Sequence, residues 1–305
     1  MVSDGDPRLQ LLRELKSRGY RFNAVTPATH QIVLSRPFSG RASLRDIFGW
    51  NRPFKEADVD QELLALLREA RALSSKDRWL RSELRVASVG QDLFLHSAFP
   101  TAEPDSVFFG PDTYRFVRFV GQKLAGIRPL SRIIDMGAGS GAGGIAVSRL
   151  APGAEVTLVD TNAKALELAR INAAAANLQI ELMQSDRVPA GADLVIANPP
   201  YMMDSQSRAY RDGGGLLGGS VALQWAEQAL SGLTAGGTML LYVGAAFADG
   251  RSPLVEALET ACRRHGAALA WEELDPDVFG EELEQSAYAQ VERIAAIGAV
   301  ITVQG

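Results

Sequence analysis

The chain has 305 residues, enough for one large domain and a smaller one, and its 47% hydrophobic and 22% charged content is that of an ordinary globular protein. A net charge of -5 excludes global electrostatic attraction to nucleic acid, and the single cysteine, Cys262, excludes a disulfide framework and a cysteine-based zinc site. The histidines His30, His96 and His265 lie far apart without ligand spacing, so no metal is expected, and no window has the apolar length of a membrane span. MVSDGDPRL lacks a signal-type apolar run, so the chain is expected in the cytoplasm.

Asp6 and Pro7 predict a helix start, an N-cap followed by proline at the first helical position. Leu9, Leu11, Leu12 and Leu15 supply its apolar face, and Gly19 its stop. The spacing of Val59, Leu63, Leu66, Leu67 and Ala70 predicts a second amphipathic helix over 56–73. Between them runs an irregular stretch with Pro37, Gly40, Gly49 and Pro53, whose Phe48, Trp50 and Phe54 read as core. Residues 1–80 are therefore expected to form a small, mostly helical cap or substrate domain. Leu84 to Ala87 and Leu93 to Leu95 alternate around Gly90, predicting a hairpin over 83–97 that connects to a catalytic domain of 81–305. Phe108, Phe109 and Pro111 then lead into a helix with Asp112 near its N-terminus.

Residues 131–162 read SRIIDMGAGSGAGGIAVSRLAPGAEVTLVDTN. The pattern is a strand (Arg132 to Asp135), a glycine-rich turn (Gly137, Gly139, Gly141), a helix, and a second strand ending in Asp160. Glycines permit a tight turn and close approach of the backbone to a ligand, and the strand-end acid suits two ribose hydroxyls. Further strands at Ile180 to Met183, Leu194 to Ala197 and Thr238 to Val243 alternate with helices at 141–150, 163–176, 220–231 and 253–265. Such alternation predicts an α/β fold with a parallel, doubly wound sheet and ligands at the strand C-terminal ends.

Two details narrow the ligand. Asp135 precedes the glycines, where a carboxylate would repel a dinucleotide pyrophosphate and favour an ammonium group instead. Asn198-Pro199-Pro200-Tyr201 follows the fourth strand, and each X-Pro unit stiffens it, aiming the Asn198 side chain and two carbonyls at one point.

At these residues the chain resembles the class I S-adenosylmethionine-dependent methyltransferases. It is most similar to the NPPY-containing branch that alkylates planar nitrogens: release-factor glutamine, ribosomal RNA guanine and adenine methyltransferases, and the methyltransferase small-domain family. The resemblance covers roughly residues 80 to 305. It implies a Rossmann-like, seven-stranded, mostly parallel sheet ending in a strand pair, the last strand inserted antiparallel. S-adenosyl-L-methionine is the implied cofactor. Asp135, Gly137, Gly139, Ser140 and Gly141 would cradle its amino-acid part, and Asp160 would take the ribose hydroxyls. Thr161 and Asn162 would line the adenine edge, with Ser185-Asp186 placing an acid for the adenine amino group, and Asn198 would also contact the cofactor. In this branch the turn's oxygens, here those of Asn198, Pro199 and Pro200, accept from an amide or exocyclic NH2, and the aromatic, here Tyr201, stacks on the planar group or faces a cation. The segment before the first helix keeps Pro111 and Thr113 but lacks the arginine and glutamate common there.

The loop MMDSQSRAYRDGGGLLGGS after NPPY matches the glutamine-methylating pattern only in part, and its glycine run is expected to be mobile. Phe109, Tyr210 and Arg211 are candidate substrate contacts. Three readings follow. One is methylation of a planar nitrogen in a protein glutamine or a small molecule. A second is methylation of an RNA or DNA base, disfavoured by the acidic balance. The third, from secondary metabolism, consumes the cofactor without methyl transfer: its own amine attacks its γ-carbon, giving methylthioadenosine and azetidine-2-carboxylate.

Overall fold

Asp6 starts the first helix as its residue type predicts: the carboxylate accepts from the Arg8 N–H (2.9 Å) at the head of α1 (Pro7–Ser17), whose Leu9, Leu11, Leu12 and Leu15 are buried. The computed structural model describes residues 2–125, 127, 129–204, 208 and 210–305. They cluster into two units: Met1–Tyr114 with Gly139–Ala142 and Lys164–Gln179, and Arg115–Ala138 with Gly143–Ala163 and Ile180–Gly305.

In the first unit, α2 (Pro27–Ser35) occupies part of the stretch expected to be irregular, and the Thr26 hydroxyl caps it by accepting from the Thr29 N–H at 3.2 Å. α3 (Gln61–Glu69) is shorter than the 56–73 expected. Val59 is extended (φ −117°, ψ 158°), and the Asp60 carboxylate accepts from the Leu63 N–H at 3.0 Å, so the helix begins after Asp60. β1 (Leu73–Lys76) and β2 (Trp79–Ser82) form a hairpin that the apolar spacing does not disclose. β3 (Leu84–Val89) and β4 (Asp92–Ser97) pair around Gly90 as predicted.

The second unit begins within α4 (Pro111–Leu124) and carries β5 (Arg132–Met136), α5 (Ala142–Leu150), β6 (Glu155–Asp160), β7 (Glu181–Gln184) and β8 (Leu194–Ala197). After them come α7 (Ser220–Gly232), β9 (Thr238–Phe247), α8 (Pro253–His265), β10 (Ala268–Asp275) and β11 (Arg293–Thr302); α6 (Ala163–Ala175) joins β6 to β7 in sequence. The sheet has seven strands in the order β10-β11-β9-β8-β5-β6-β7. Pairings from β9 through β7 are parallel, and β11 lies antiparallel between β9 and β10, as the resemblance implies. All ten residues of β9 are buried, which explains its nearly unbroken apolar run TMLLYVGAAF. The chain leaves β5 toward β6 on one side and returns as β8 on the other. This reversal puts the C-terminal ends of β5, β6 and β8 at the sheet's switch point, where open α/β sheets bind ligands.

The division does not fall at residue 80. Ala165, Leu168 and Ile171 of α6 share one apolar cluster with Leu11, Leu15, Phe48, Leu63 and Leu67, and hairpin residues Val86 and Leu95 belong to it as well. Burial of these side chains gathers the hairpin and α6 into the N-terminal unit. Among the described residues, no helix is long and apolar enough to cross a membrane, and no group of three or more His, Cys, Asp or Glu side chains could hold a metal ion.

Candidate active site

Asp135 lies near the end of β5, 1% exposed, and its Oδ2 accepts from the Gly144 N–H of α5 at 2.6 Å. Its first partner is therefore the helix that follows the glycine turn. Burial raises its pKa to about 7; the Gly144 N–H pulls the other way, and the nearby Asp160 charge adds to the rise. The Gly137 and Ala138 N–H groups both donate to the Val159 carbonyl (2.8 and 3.0 Å), fastening the turn to β6. Gly137 has φ +72°, and a Cβ there would lie 2.6 Å from the ring of Trp225, a buried residue of α7. No sequence motif singles out Trp225.

Gly139, Ser140 and Gly141 belong to the N-terminal unit. There the Ser140 carbonyl accepts from Asn172 Nδ2 (2.9 Å), and the same amide bonds both the N–H (2.8 Å) and the carbonyl (3.1 Å) of Leu95. Asn172, 1% exposed on α6, is a clamp on the turn that no motif announces.

At the end of β6, Asp160 is half-buried, and its Oδ1 accepts from the Asn162 N–H at 2.8 Å, shaping the turn into α6. Thr161 is exposed, and its carbonyl accepts from Gln184 Nε2 at 3.0 Å. The Ser185 N–H donates to the Asp160 carbonyl at 3.2 Å, which brings Ser185 beside Asp160. The Ser185 hydroxyl accepts from the Arg187 N–H (3.0 Å), and Asp186 is exposed.

Asn198 follows β8 directly. Its Oδ1 is sealed from solvent and has no hydrogen-bond partner among the described residues. Leaving such an acceptor unmatched costs about 1–3 kcal/mol, so it marks a place where a donor is wanted. Pro199 is buried and Pro200 half-buried. Tyr201 is 9% exposed, its ring 6.1 Å from that of Phe279 and packed so closely on Gly244 of β9 that a Cβ there would overlap it.

The glycines beyond NPPY have a packing role. A Cβ on Gly213 would lie 2.7 Å from the Tyr201 Cα, and one on Gly218 would overlap the Tyr201 carbonyl. Met202 and Gly213 exchange backbone bonds with this stretch (Met202 N–H to the Arg211 carbonyl, 2.9 Å; Gly213 N–H to the Met202 carbonyl, 2.8 Å), and the Tyr288 hydroxyl accepts from the Met203 N–H at 2.8 Å. Residues 205–207 and 209 of the stretch lie outside the described residues. Arg211 is committed to an ion pair with the buried Glu282 and stands 3.6 Å from Asp204, while Tyr210 lies under the Arg208 guanidinium at 5.9 Å. In the N-terminal unit Phe109 is 1% exposed and stacks on His96 at 5.2 Å.

Residues 122–262 match the family model of the methyltransferase small domain. Among solved structures, Trm5b from Pyrococcus abyssi shares the fold, with a TM-score of 0.51 at 15% identity over 81% of this chain and 72% of that one. The chain has the class I methyltransferase fold. It is 30% identical over 168 residues to the release factor glutamine methyltransferase of Deinococcus radiodurans, covering 50% of this chain and 55% of that protein. It is 36% identical over 104 residues to the Bordetella pertussis protein of the same name (32% of this chain, 38% of that one). With the ribosomal RNA small subunit methyltransferase C of Haemophilus influenzae it shares 37% identity over 83 residues, 26% of this chain and 25% of that one. The chain thus spans about half the length, or less, of these curated relatives.

Asp135 makes the stability of the fold depend on pH. Its folded pKa, about 7, stands above the ordinary 3.8, so the folded chain holds the proton more tightly than the unfolded one. The stability this contributes is complete below about pH 4, is lost as pH rises to about 7, and is flat beyond. Thermal unfolding across this window should show wild type losing Tm relative to Asp135→Asn; parallel curves would refute the assignment.

Proposed function

We propose that the enzyme transfers the methyl group of S-adenosylmethionine to a planar nitrogen, an amide or aromatic NH2, of a glutamine side chain or small molecule. The observation that carries this reading is the buried, unmatched Asn198 Oδ1 at the end of β8. When bound, the cofactor supplies an electrophilic methyl group on a sulfonium.

In the sheet unit, the residues that would hold the cofactor are Asp135, Gly137, Asp160, Thr161, Asn162, Ser185 and Asp186, and the glycine turn continues through Gly139, Ser140 and Gly141. They suit it chemically: a half-buried carboxylate stands at the end of β6, and a buried one, raised to about 7, stands in β5, where a cation would stabilise its charged form. Asn198 Oδ1 would accept one N–H of the acceptor nitrogen, drawing its lone pair out of conjugation. The stiff Pro199-Pro200 pair keeps that oxygen from turning away, so positioning and electrostatics supply most of the acceleration. The nitrogen loses its surplus proton after attack, so no strong base is required. Tyr201, packed on Gly244 and Phe279, supports the turn from beneath.

The test is product identification. The purified chain is incubated with S-adenosylmethionine alone, then with a glutamine-bearing peptide, benzamide, or an RNA oligonucleotide. S-adenosylhomocysteine formed with the peptide or benzamide is the expected result. Methylthioadenosine from the cofactor alone would replace this reading with cyclisation, and turnover with RNA only would replace it with base methylation.

A further inference from the structure

The N-terminal unit buries a positive charge that no carboxylate answers. Arg85 of β3 is 4% exposed, and its Nε donates to the Ser97 carbonyl at 2.9 Å. Among the described residues no acidic side chain pairs with it. Burial lowers its pKa to about 10, with the Tyr20 hydroxyl helping and Arg81 opposing the charged form. A buried ion without a counter-ion is costly enough that proteins rarely keep one.

Two histidines of the same unit each leave one ring nitrogen without a partner. His96 stands directly opposite Arg85 in the β3–β4 register, which puts both side chains on one face of the hairpin. It is 1% exposed, and its Nδ1 has no partner. His30 of α2, also 1% exposed, stacks on Phe99 at 4.2 Å, and the Arg85 guanidinium lies 5.8 Å from the same ring. The His30 Nε2 donates to the Trp50 carbonyl at 2.9 Å, so in the neutral ring Nδ1 is a lone pair, and it too has no partner. Burial first, then the Arg85 charge, keeps both imidazoles neutral, His30 down to about 4.

We propose that Arg85, His96 and His30 form a binding site for a small oxyanion that also carries a hydroxyl or amine donor, such as hydrogen phosphate or a hydroxy- or amino-carboxylate. The oxyanion would answer the Arg85 charge, and the donor would answer an imidazole lone pair. Arg81, whose charge also reaches His30, would reinforce the attraction, whereas the Arg52 charge is answered by the Asp46 carboxylate at 3.8 Å. Their guanidinium groups are engaged, Arg81 with the Asn51 and Phe99 carbonyls and Arg52 with the Val33 carbonyl, which leaves Arg85 as the residue to meet the ligand. The site is independent of the methyl-transfer reading.

Thermal unfolding of the full chain, titrated with sodium phosphate, glycolate or acetate at constant ionic strength, tests this. Phosphate or glycolate should raise Tm saturably, by about 5 °C at high occupancy. Acetate, which lacks the donor, should need about tenfold higher concentration. A response to phosphate alone assigns a tetrahedral anion, and a response to glycolate alone assigns a carboxylate. Arg85→Lys should keep the response; Arg85→Gln should abolish it without lowering Tm in plain buffer, because an unanswered charge has been removed. If the wild-type chain shows no saturable rise with either phosphate or glycolate, or Arg85→Gln responds like wild type, the proposal fails. Should Arg85→Gln not fold, the comparison of glycolate with acetate on wild type still decides.

Discussion

Asn198→Ala should lower methyl transfer by about 100-fold or more while S-adenosylmethionine affinity stays within about threefold. Asn198 Oδ1 is already desolvated and unmatched in the folded chain, so under the proposed function its hydrogen bond would be made only when an acceptor nitrogen arrives. Removing it leaves the fold intact, because no internal partner is lost. Asn198→Asp, which keeps an oxygen at the same atom, should retain more activity than Asn198→Ala. Single-turnover kinetics beside equilibrium binding of the cofactor separates these effects. Equal loss in binding and transfer would make Asn198 a cofactor contact only, and unchanged transfer would remove it from the site.

Gly218→Ala should cost about 3 kcal/mol or more and abolish measurable turnover, the larger structural effect of the two. Gly218 has φ +95°, and its missing side chain leaves room for the Tyr201 carbonyl, which a Cβ would overlap. Backbone, not a flexible side chain, occupies the space, so the NPPY turn itself must move. Gly266→Ala is the matched control. Gly266 caps α8 with φ +64° and has nothing within 4 Å of its would-be Cβ, so strain without overlap should cost about 1 kcal/mol and leave turnover unchanged. Chemical denaturation together with activity measures both. Equal effects in the two variants would show that the contact with Tyr201 does not matter.

Much of the sheet was legible because its signals are local. β6 and β8 fall at the predicted residues, and α8 begins at Pro253 and stops at Gly266, the proline-start and glycine-stop pattern. α2 was not legible: PATHQIVLS is short, and its single fully buried residue is a histidine. β1 and β2 escaped because LSSK is largely exposed, so no apolar alternation betrays the hairpin. For the candidate site, motif spacing singles out Asp135, Asp160 and Asn198, but their partners arrive from tertiary structure. Gly144 beneath Asp135, Trp225 against Gly137, and Phe279 beside Tyr201 stand 9 to 88 positions away in the chain. The glycines from 213 to 218 read as slack in one dimension, and in three they are clearance for a neighbouring backbone.

The membership of α6 in the N-terminal cluster bears on how this chain can be cut. A fragment beginning at Arg115 would retain α6 but strip Leu11, Leu15, Phe48, Leu63 and Leu67 from over Ala165, Leu168 and Ile171. It would also take Leu95 away from Asn172. Such a truncation would carry a sticky helix face and a loosened glycine turn, so it should precipitate rather than serve as a minimal enzyme. Grafting a different front end onto this sheet-bearing half would succeed only with a donor that brings its own cover for that helix.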